Sequence, residues 1–309
     1  MKLVKLYGLQ NVLLLVIGML VFRYGFLSRQ LVSLDGITTI KLIPALNDWQ
    51  YVVMVLACAL IAAGGFFINN AAGAGKEANT EINEAKIYNI YIALTLIGVG
   101  LGYYIANFTG RPIFAGVFIV GAATLYIYAT SLKQTLLVSN IIIALIMALP
   151  LIAIGVFDLY PILSDSNKPL LATLFGLMLD YALFIFVIGL ILTFINNLAN
   201  ADADYNDGIT TLPIILGRAR TVKIVFVFSL LPVCMLLYYG NAYIKELIYA
   251  LGYGLLFILA PYIYFLMKLW GAKTQKDFQQ LETVLKVVLF FTVLSIAVIT
   301  FNIHYNAKG

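Results

Sequence analysis

The chain has 309 residues, 63% of them hydrophobic and 11% charged, with a formal net charge of +5 and a mean hydropathy of +1.00. Soluble domains carry roughly 25% charged and 45–50% apolar residues, so these values exclude a soluble enzyme, a nucleic-acid binder and a disordered chain. What remains is an all-α integral membrane protein, because apolar runs of about 20 residues recur and each such run satisfies its own backbone as a helix.

Nine runs are long enough to cross a bilayer core, near 9–28, 49–68, 87–109, 113–132, 136–157, 170–195, 221–240, 244–267 and 284–303. The first is too long, and carries Arg23 too deep, for a cleaved signal peptide. The second opens on Trp49, and Trp270 follows the eighth, as interfacial anchors do. In the third, Gly98, Gly100 and Gly102 lie beside Tyr103 and Tyr104 and permit close helix approach. The fourth and fifth are separated by little more than Ser131–Thr135 and are expected to form a helical hairpin. Pro150, Pro161, Pro232 and Pro261 are expected to bend or end helices. Cys58 and Cys234 lie inside apolar runs, so no disulfide framework is implied. His304, the only histidine, falls at the far end of the last run, where an interfacial or solvated role is expected.

Basic residues sort unevenly between the two sides. The N-terminus and the even-numbered loops hold twelve, including Lys2, Lys5, Lys76, Lys86, Lys133, Arg218, Arg220 and Lys223. The other side holds six: Arg29, Lys41, Arg111, Lys168, Lys245 and Lys308. The positive-inside rule puts the N-terminus in the cytoplasm and, after nine spans, the C-terminus outside. The cell inner (plasma) membrane is the expected location.

The unusual polar residues gather in two inner loops that continue apolar helices. The second loop runs from Phe66-Phe67-Ile68-Asn69-Asn70 to Gly75-Lys76-Glu77-Ala78-Asn79. The sixth reads Asn196-Asn197-Leu198-Ala199-Asn200-Ala201-Asp202-Ala203-Asp204-Tyr205-Asn206-Asp207-Gly208. At helical spacing Asn196, Asn200 and Asp204 share a face, with Asn197 beside Asn200. Such a stripe can hold a hydrated magnesium ion, which takes a few carboxylates, waters and substrate phosphate oxygens. The competing reading is that Asn, Asp and Gly here form helix C-caps and turns. Three carboxylates within six residues of the sixth loop favour a counter-ion there. Separately, Asp180 lies within the sixth span, where a carboxylate costs on the order of 2.5–3.5 kcal/mol or more unless paired. Arg23 is its candidate partner, with both facing a shared cavity to pair there or orient a substrate head group.

Gly208-Ile209-Thr210-Thr211-Leu212-Pro213-Ile214-Ile215-Leu216-Gly217 resembles the G-x-x-T-L-P-x-x-L-G segment of the UbiA superfamily of membrane prenyltransferases. In that family it follows the second aspartate-rich motif, D-x-x-D-x-x-x-D. The second loop occupies the place of the first motif, N-D-x-x-D-x-x-x-D, and Tyr128-Ala129-Thr130-Ser131-Leu132-Lys133, followed by Asn140, resembles the family's Y-S-x-x-L-K segment. The resemblance covers essentially the whole chain. It implies one transmembrane domain over 1–309, with nine helices around a central cavity open to the cytoplasmic side. The implied activity is transfer of a polyprenyl group from its diphosphate to a lipophilic or aromatic acceptor, with magnesium. The implied partners are the polyprenyl diphosphate, the acceptor and membrane lipid, with no nucleic acid and no obligate protein partner.

The residues carried over are Asp204, Asp202 and Lys133 for catalysis and Asn69, Asn70, Tyr128, Asn197 and Asn200 for substrate, beside the intramembrane pair Asp180 and Arg23. Asp202, Asp204, Asp207 and Glu77 are the implied metal ligands, and Lys133 the diphosphate contact. The chain departs from the family at acidic positions. The first motif reads Asn69, Asn70, Gly73 and Glu77, and the early acids of the second appear as Asn197 and Asn200. An amide oxygen can ligate a hard cation but brings no charge. The alternative reading is therefore a disarmed relative that binds isoprenoid without turnover. A transporter ranks last, because no internal repeat is visible and the polar residues gather on one face.

Overall fold

The computed structural model describes residues 8–34, 38–77, 84–132, 135–206 and 208–306 and, of these, the side chains outside 32–40 and 69–84. Helix α1 (Leu9–Leu20) widens into a π-turn over Val21–Phe26 and ends in a short 3-10 turn. A hairpin of strands β1 (Leu31–Leu34) and β2 (Thr38–Lys41) follows, with Leu31 opposite Lys41 and Leu34 opposite Thr38. Then come α2 (Asp48–Glu77), α3 (Glu84–Phe108), α4 (Ala115–Thr130), α5 (Val138–Ile154), α6 (Lys168–Asn206), α7 (Leu212–Leu216) and α8 (Arg218–Phe228). Helices α9 (Leu231–Tyr239), α10 (Ile248–Tyr253), α11 (Ala260–Gly271) and α12 (Gln275–Asn306) complete the chain. Several join through π-turns into longer spans. Among the described residues, nine such spans are long and apolar enough to cross a membrane, from Leu9–Arg29 to Gln275–Asn306, and each expected run overlaps one of them. The protein is an all-α integral membrane protein; the small hairpin is an addition to what the sequence predicts.

The contacts group the chain into two compact units. The first holds Met1–Leu20, Leu31–Leu132 and Pro150–Gly176. Here α2 packs on α3 and α4 through small residues. A Cβ on Gly98 would stand 2.7 Å from Ile61 and 3.0 Å from the Ala57 carbonyl, and one on Gly102 would enter the Phe118 ring. Only hydrogen at these positions lets the backbones approach, which is how helices associate where lipid offers no hydrophobic drive. Gly100, between them, faces open space. Helix α2 starts with a capping box: the Asn47 side chain accepts the Gln50 N–H at 3.0 Å, and the Gln50 side chain accepts the Asn47 N–H at 2.9 Å. Asp158, fully buried, ties the end of the α5 span to this entry by accepting the Leu46 N–H at 3.2 Å.

The second unit holds Val21–Gln30, Lys133–Leu149 and Leu177–Gly309. The apolar face of α12, with Leu285, Val288, Leu289, Val293 and Ile296 buried, packs on α10, α11 and the π-turn of α1, where Gly25 meets Ala297. Pro232 sits where a helix ends and another begins, as expected. Pro232 opens α9 after a turn at Ser229–Leu230, and the Ser229 carbonyl exposed by that break accepts the Tyr262 hydroxyl at 2.8 Å. Re-satisfying such a carbonyl from a neighbouring helix is what a broken helix in hydrocarbon requires. Asn302, fully buried on α12, accepts the N–H groups of Tyr249 (2.9 Å) and Ala250 (3.0 Å) and so caps α10 from outside. His304 is half-buried and bonds the Thr300 carbonyl at 2.8 Å rather than standing in solvent.

Candidate functional site

Three of the described helices, α2, α6 and α12, are longer than a membrane needs, and the overruns of α2 and α6 carry the motif positions. Helix α6 has 39 residues, about 58 Å at 1.5 Å per residue against a hydrocarbon core of about 30 Å. Its sequence stays helical through the polar stretch because Ala199, Ala201 and Ala203 alternate with the amides and acids, and alanine is the strongest helix former. The Asn196–Asn206 stretch is therefore helix, not loop. Helix α2 likewise runs through Glu77. Asn69, Asn70, Gly73 and Glu77 lie on it, but their side chains are outside the described residues, as are Lys133 and Asp207 altogether.

The end of α6 explains the glycine-bounded segment. Gly208 takes φ +70°, and the Ile209 N–H returns to the Asp204 carbonyl at 2.9 Å, closing the helix in a Schellman-type cap. Thr211, extended and buried, precedes α7, whose first turn holds Pro213. Gly217 takes φ +80° and turns the chain into α8, its carbonyl accepting both the N–H (3.1 Å) and the hydroxyl (3.0 Å) of Thr221. The two glycines of the G-x-x-T-L-P-x-x-L-G segment are thus the two left-handed positions of a tight helix–turn–helix–turn.

Along α6, Asn197, Asn200 and Asp204 fall three, four and seven residues apart and form one stripe. The Asn197 amide donates to the Asn140 side chain at 3.3 Å, and Asn140 is buried at 4% exposure. The Asn200 amide donates to Asn196 at 3.2 Å. In both cases the side-chain nitrogen is engaged, and among the described residues nothing donates to the carbonyl oxygen of Asn197 or Asn200. Asp204 is half-buried in the same stripe.

Asp202 does not join them. Its carboxylate accepts the Arg218 guanidinium at 2.8 Å, and its side chain is 84% exposed. Two residues along a helix rotate a side chain by about 200°, so Asp202 and Asp204 point to opposite sides. The sequence reading of Arg218 as a topology charge misses this ion pair, which no local spacing announces. Asp180 is half-buried and accepts the Tyr239 hydroxyl at 3.3 Å; the partner the structure gives it is Tyr239 rather than the expected Arg23. Arg23 is buried at 3% exposure on the π-turn after α1. Tyr128 is half-buried near the end of α4. Among the described residues, no three His, Cys, Asp or Glu side chains come together as a metal cage. One half-buried carboxylate with two amide oxygens in line still suits a magnesium ion, which relies on phosphate oxygens and water for its remaining ligands.

No family model matches the sequence, and no curated protein matches it. Solved structures do. A structure of digeranylgeranylglyceryl phosphate synthase in membranes has a TM-score of 0.59 at 17% identity, covering 97% of this chain and 99% of that one. A UbiA homolog from Archaeoglobus fulgidus bound to GPP and Mg2+ has a TM-score of 0.59 at 14% identity, covering 96% of this chain and 100% of that one. The same homolog bound to DMAPP and Mg2+ has a TM-score of 0.57 at 14% identity, over 96% and 99%. At these identities the shared property is the fold: this chain has the helical membrane fold of UbiA-family prenyltransferases.

Proposed function

We propose that this chain is a UbiA-superfamily protein, one domain over residues 1–309, that moves a polyprenyl group from its diphosphate to a lipophilic or aromatic acceptor. The observation that carries the reading is the stripe of Asn197, Asn200 and Asp204 on the overlong end of α6, followed at once by the doubly kinked Gly208–Gly217 segment. It stands on a fold whose solved examples bind GPP or DMAPP with Mg2+.

In this reading Asp204 supplies the charged oxygen for magnesium, Asn197 and Asn200 supply neutral ones, and Glu77 and Asp207 add to them. Magnesium would neutralise the charge left on the diphosphate as the allylic C–O bond breaks. Asp202, neutralised by Arg218, is not a ligand. Lys133 and Tyr128 donate to the diphosphate oxygens. The apolar helix walls keep water from the allylic cation. The site faces the cytoplasm, with the N-terminus inside and the C-terminus outside the plasma membrane, as the distribution of basic residues supports.

A second reading, isoprenoid binding without turnover, is favoured by one observation. Gly73, Asn197 and Asn200 bring no charge where the family's motifs are acidic. The test is binding of a non-hydrolysable geranylgeranyl thiodiphosphate with and without magnesium, before and after the triple change Gly73→Asp, Asn197→Asp, Asn200→Asp. Magnesium-dependent binding with turnover of the true diphosphate in the unaltered chain supports the transferase. Binding without turnover until the acids are introduced supports the disarmed relative, and no binding in either form refutes both.

A further inference from the structure

Asn140 stands on the first turn of α5, 57 residues before Asn197, and is buried at 4% exposure. Its side-chain oxygen accepts the Asn197 amide at 3.3 Å and the Ser139 hydroxyl at 3.5 Å, which uses both lone pairs of a carboxamide oxygen. The stripe on α6 is therefore met, at Asn197, by a buried acceptor from a neighbouring helix.

A carboxamide has two ends of nearly the same shape and opposite chemistry: an oxygen that can ligate a cation, and an NH2 group that can only donate. For a cation at the end of α6 the deciding property of Asn197 is which end faces it. An aspartate faces no such choice, because both of its ends are ligating oxygens. An asparagine without a partner turns between two roughly equivalent wells about its last torsion and offers the wrong end part of the time. At 197 the acceptor on Asn140 takes the NH2 group and turns the oxygen to the opposite end. Reversing the Asn197 amide would set two side-chain oxygens against each other, or cost Asn140 its contact with the Ser139 hydroxyl. Asn200 is held in the same way by Asn196 at 3.2 Å, but Asn196 is exposed and water can stand in for it. Water has no such access to Asn140.

We propose that Asn140 is a positioning residue for magnesium: it holds the Asn197 oxygen toward the cation at the end of α6 and touches neither the cation nor the diphosphate itself. The inference rests on the transferase reading of the stripe. It gives position 197 a partner that an amide needs and an acid does not, so the two positions are coupled in metal binding only while residue 197 is asparagine.

In the full-length protein in lipid nanodiscs, the magnesium concentration at half-maximal binding of the geranylgeranyl thiodiphosphate analogue is measured. The chains compared are the unaltered one, Asn140→Leu, Asn140→Asp, Asn197→Asp and Asn140→Leu combined with Asn197→Asp. Asn140→Leu should raise the midpoint roughly tenfold, the loss usual when the partner that orients a metal ligand is removed. Asn140→Asp keeps an acceptor against the Asn197 amide and should leave the midpoint no higher than in the unaltered chain. Added to Asn197→Asp, the leucine change should shift the midpoint by less than about twofold. Three results would each overturn the proposal: an unchanged midpoint in Asn140→Leu, the same rise in Asn140→Asp, or an equal rise whether residue 197 is asparagine or aspartate, which is what a purely structural role gives. Asn140→Ala repeats the series if the leucine form does not fold. No magnesium-dependent binding in the unaltered chain would bring down the transferase reading and this inference with it. Intact binding with any of the three results strikes the inference alone.

Discussion

Asp202 and Asp204 make opposite predictions although they stand two residues apart. The Arg218–Asp202 pair is short, 2.8 Å, but the aspartate side chain is 84% exposed and the arginine 33%. Pairs of this kind contribute about 0.2–1 kcal/mol. Asp202→Asn should therefore cost at most about 1 kcal/mol of stability. It should change magnesium-dependent affinity for the thiodiphosphate analogue by less than about threefold, since the carboxylate is already neutralised by Arg218 and points about 200° away from Asp204. Arg218→Gln should match it, and the double variant should show coupling below about 1 kcal/mol. Asp204→Asn removes the one charged oxygen from the Asn197–Asn200–Asp204 stripe. A lost interaction with a charged group is worth about 1.5–3 kcal/mol, so the analogue should bind roughly tenfold to a hundredfold more weakly. Radioligand binding to detergent-purified protein, with magnesium and with EDTA, separates the outcomes. A loss above about tenfold in Asp202→Asn, or wild-type binding in Asp204→Asn, would refute the assignment of the stripe.

Three further predictions concern the scaffold. Asn302→Leu strands the N–H groups of Tyr249 and Ala250 and should lower stability by about 2–4 kcal/mol, read as loss of folded protein after a heating step. Asn306→Ala leaves the Asn302 amide N–H without its acceptor but keeps both backbone bonds, and should cost less than Asn302→Leu, about 1–2 kcal/mol. Gly102→Ala drives a methyl into Phe118 and should cost about 1–3 kcal/mol. Gly100→Ala meets nothing and should be neutral or stabilising by up to about 1 kcal/mol; equal thermal stability of the two variants would contradict the packing at α3–α4. Tyr262→Phe leaves the Ser229 carbonyl without its donor and should cost about 1–3 kcal/mol, with Tyr264→Phe as the exposed control.

Hydropathy reads the thickness of the membrane, not the length of the helix. That is why all nine spans found among the described residues were legible while the expected sixth run, 170–195, falls short of α6 by eleven residues at its C-terminal end, Asn206. The residues from Asn196 onward are polar and carry no hydropathy signal, yet the alanine-rich sequence holds them in the helix. The β1–β2 hairpin was not legible, because a loop between two membrane spans is not expected to fold on its own. The glycine-bounded segment was legible as a motif, and both glycines take the left-handed conformation that only glycine adopts freely. Partners were not legible. Tyr239 lies 59 residues from Asp180, Arg218 16 from Asp202 and Asn140 57 from Asn197, separations at which spacing along the chain says nothing about contact.

The Asn197–Asn140 pair bears most directly on whether the missing acids matter. An aspartate at 197 would set a carboxylate against the Asn140 oxygen that now accepts the Asn197 amide. A half-turn of the Asn140 side-chain amide would present its nitrogen instead and restore the bond, at the expense of a 3.5 Å contact from the Ser139 hydroxyl. The buried partner thus serves an amide or an acid equally well, and the packing of α6 does not depend on which is present. The residue type at 197 is therefore free to follow the charge of what binds at the end of α6. On the proposed reading, an asparagine at 197 lowers the negative charge offered to a cation while keeping an oxygen in place, so Asn197→Asp should tighten magnesium-dependent binding of the thiodiphosphate analogue and leave thermal stability unchanged.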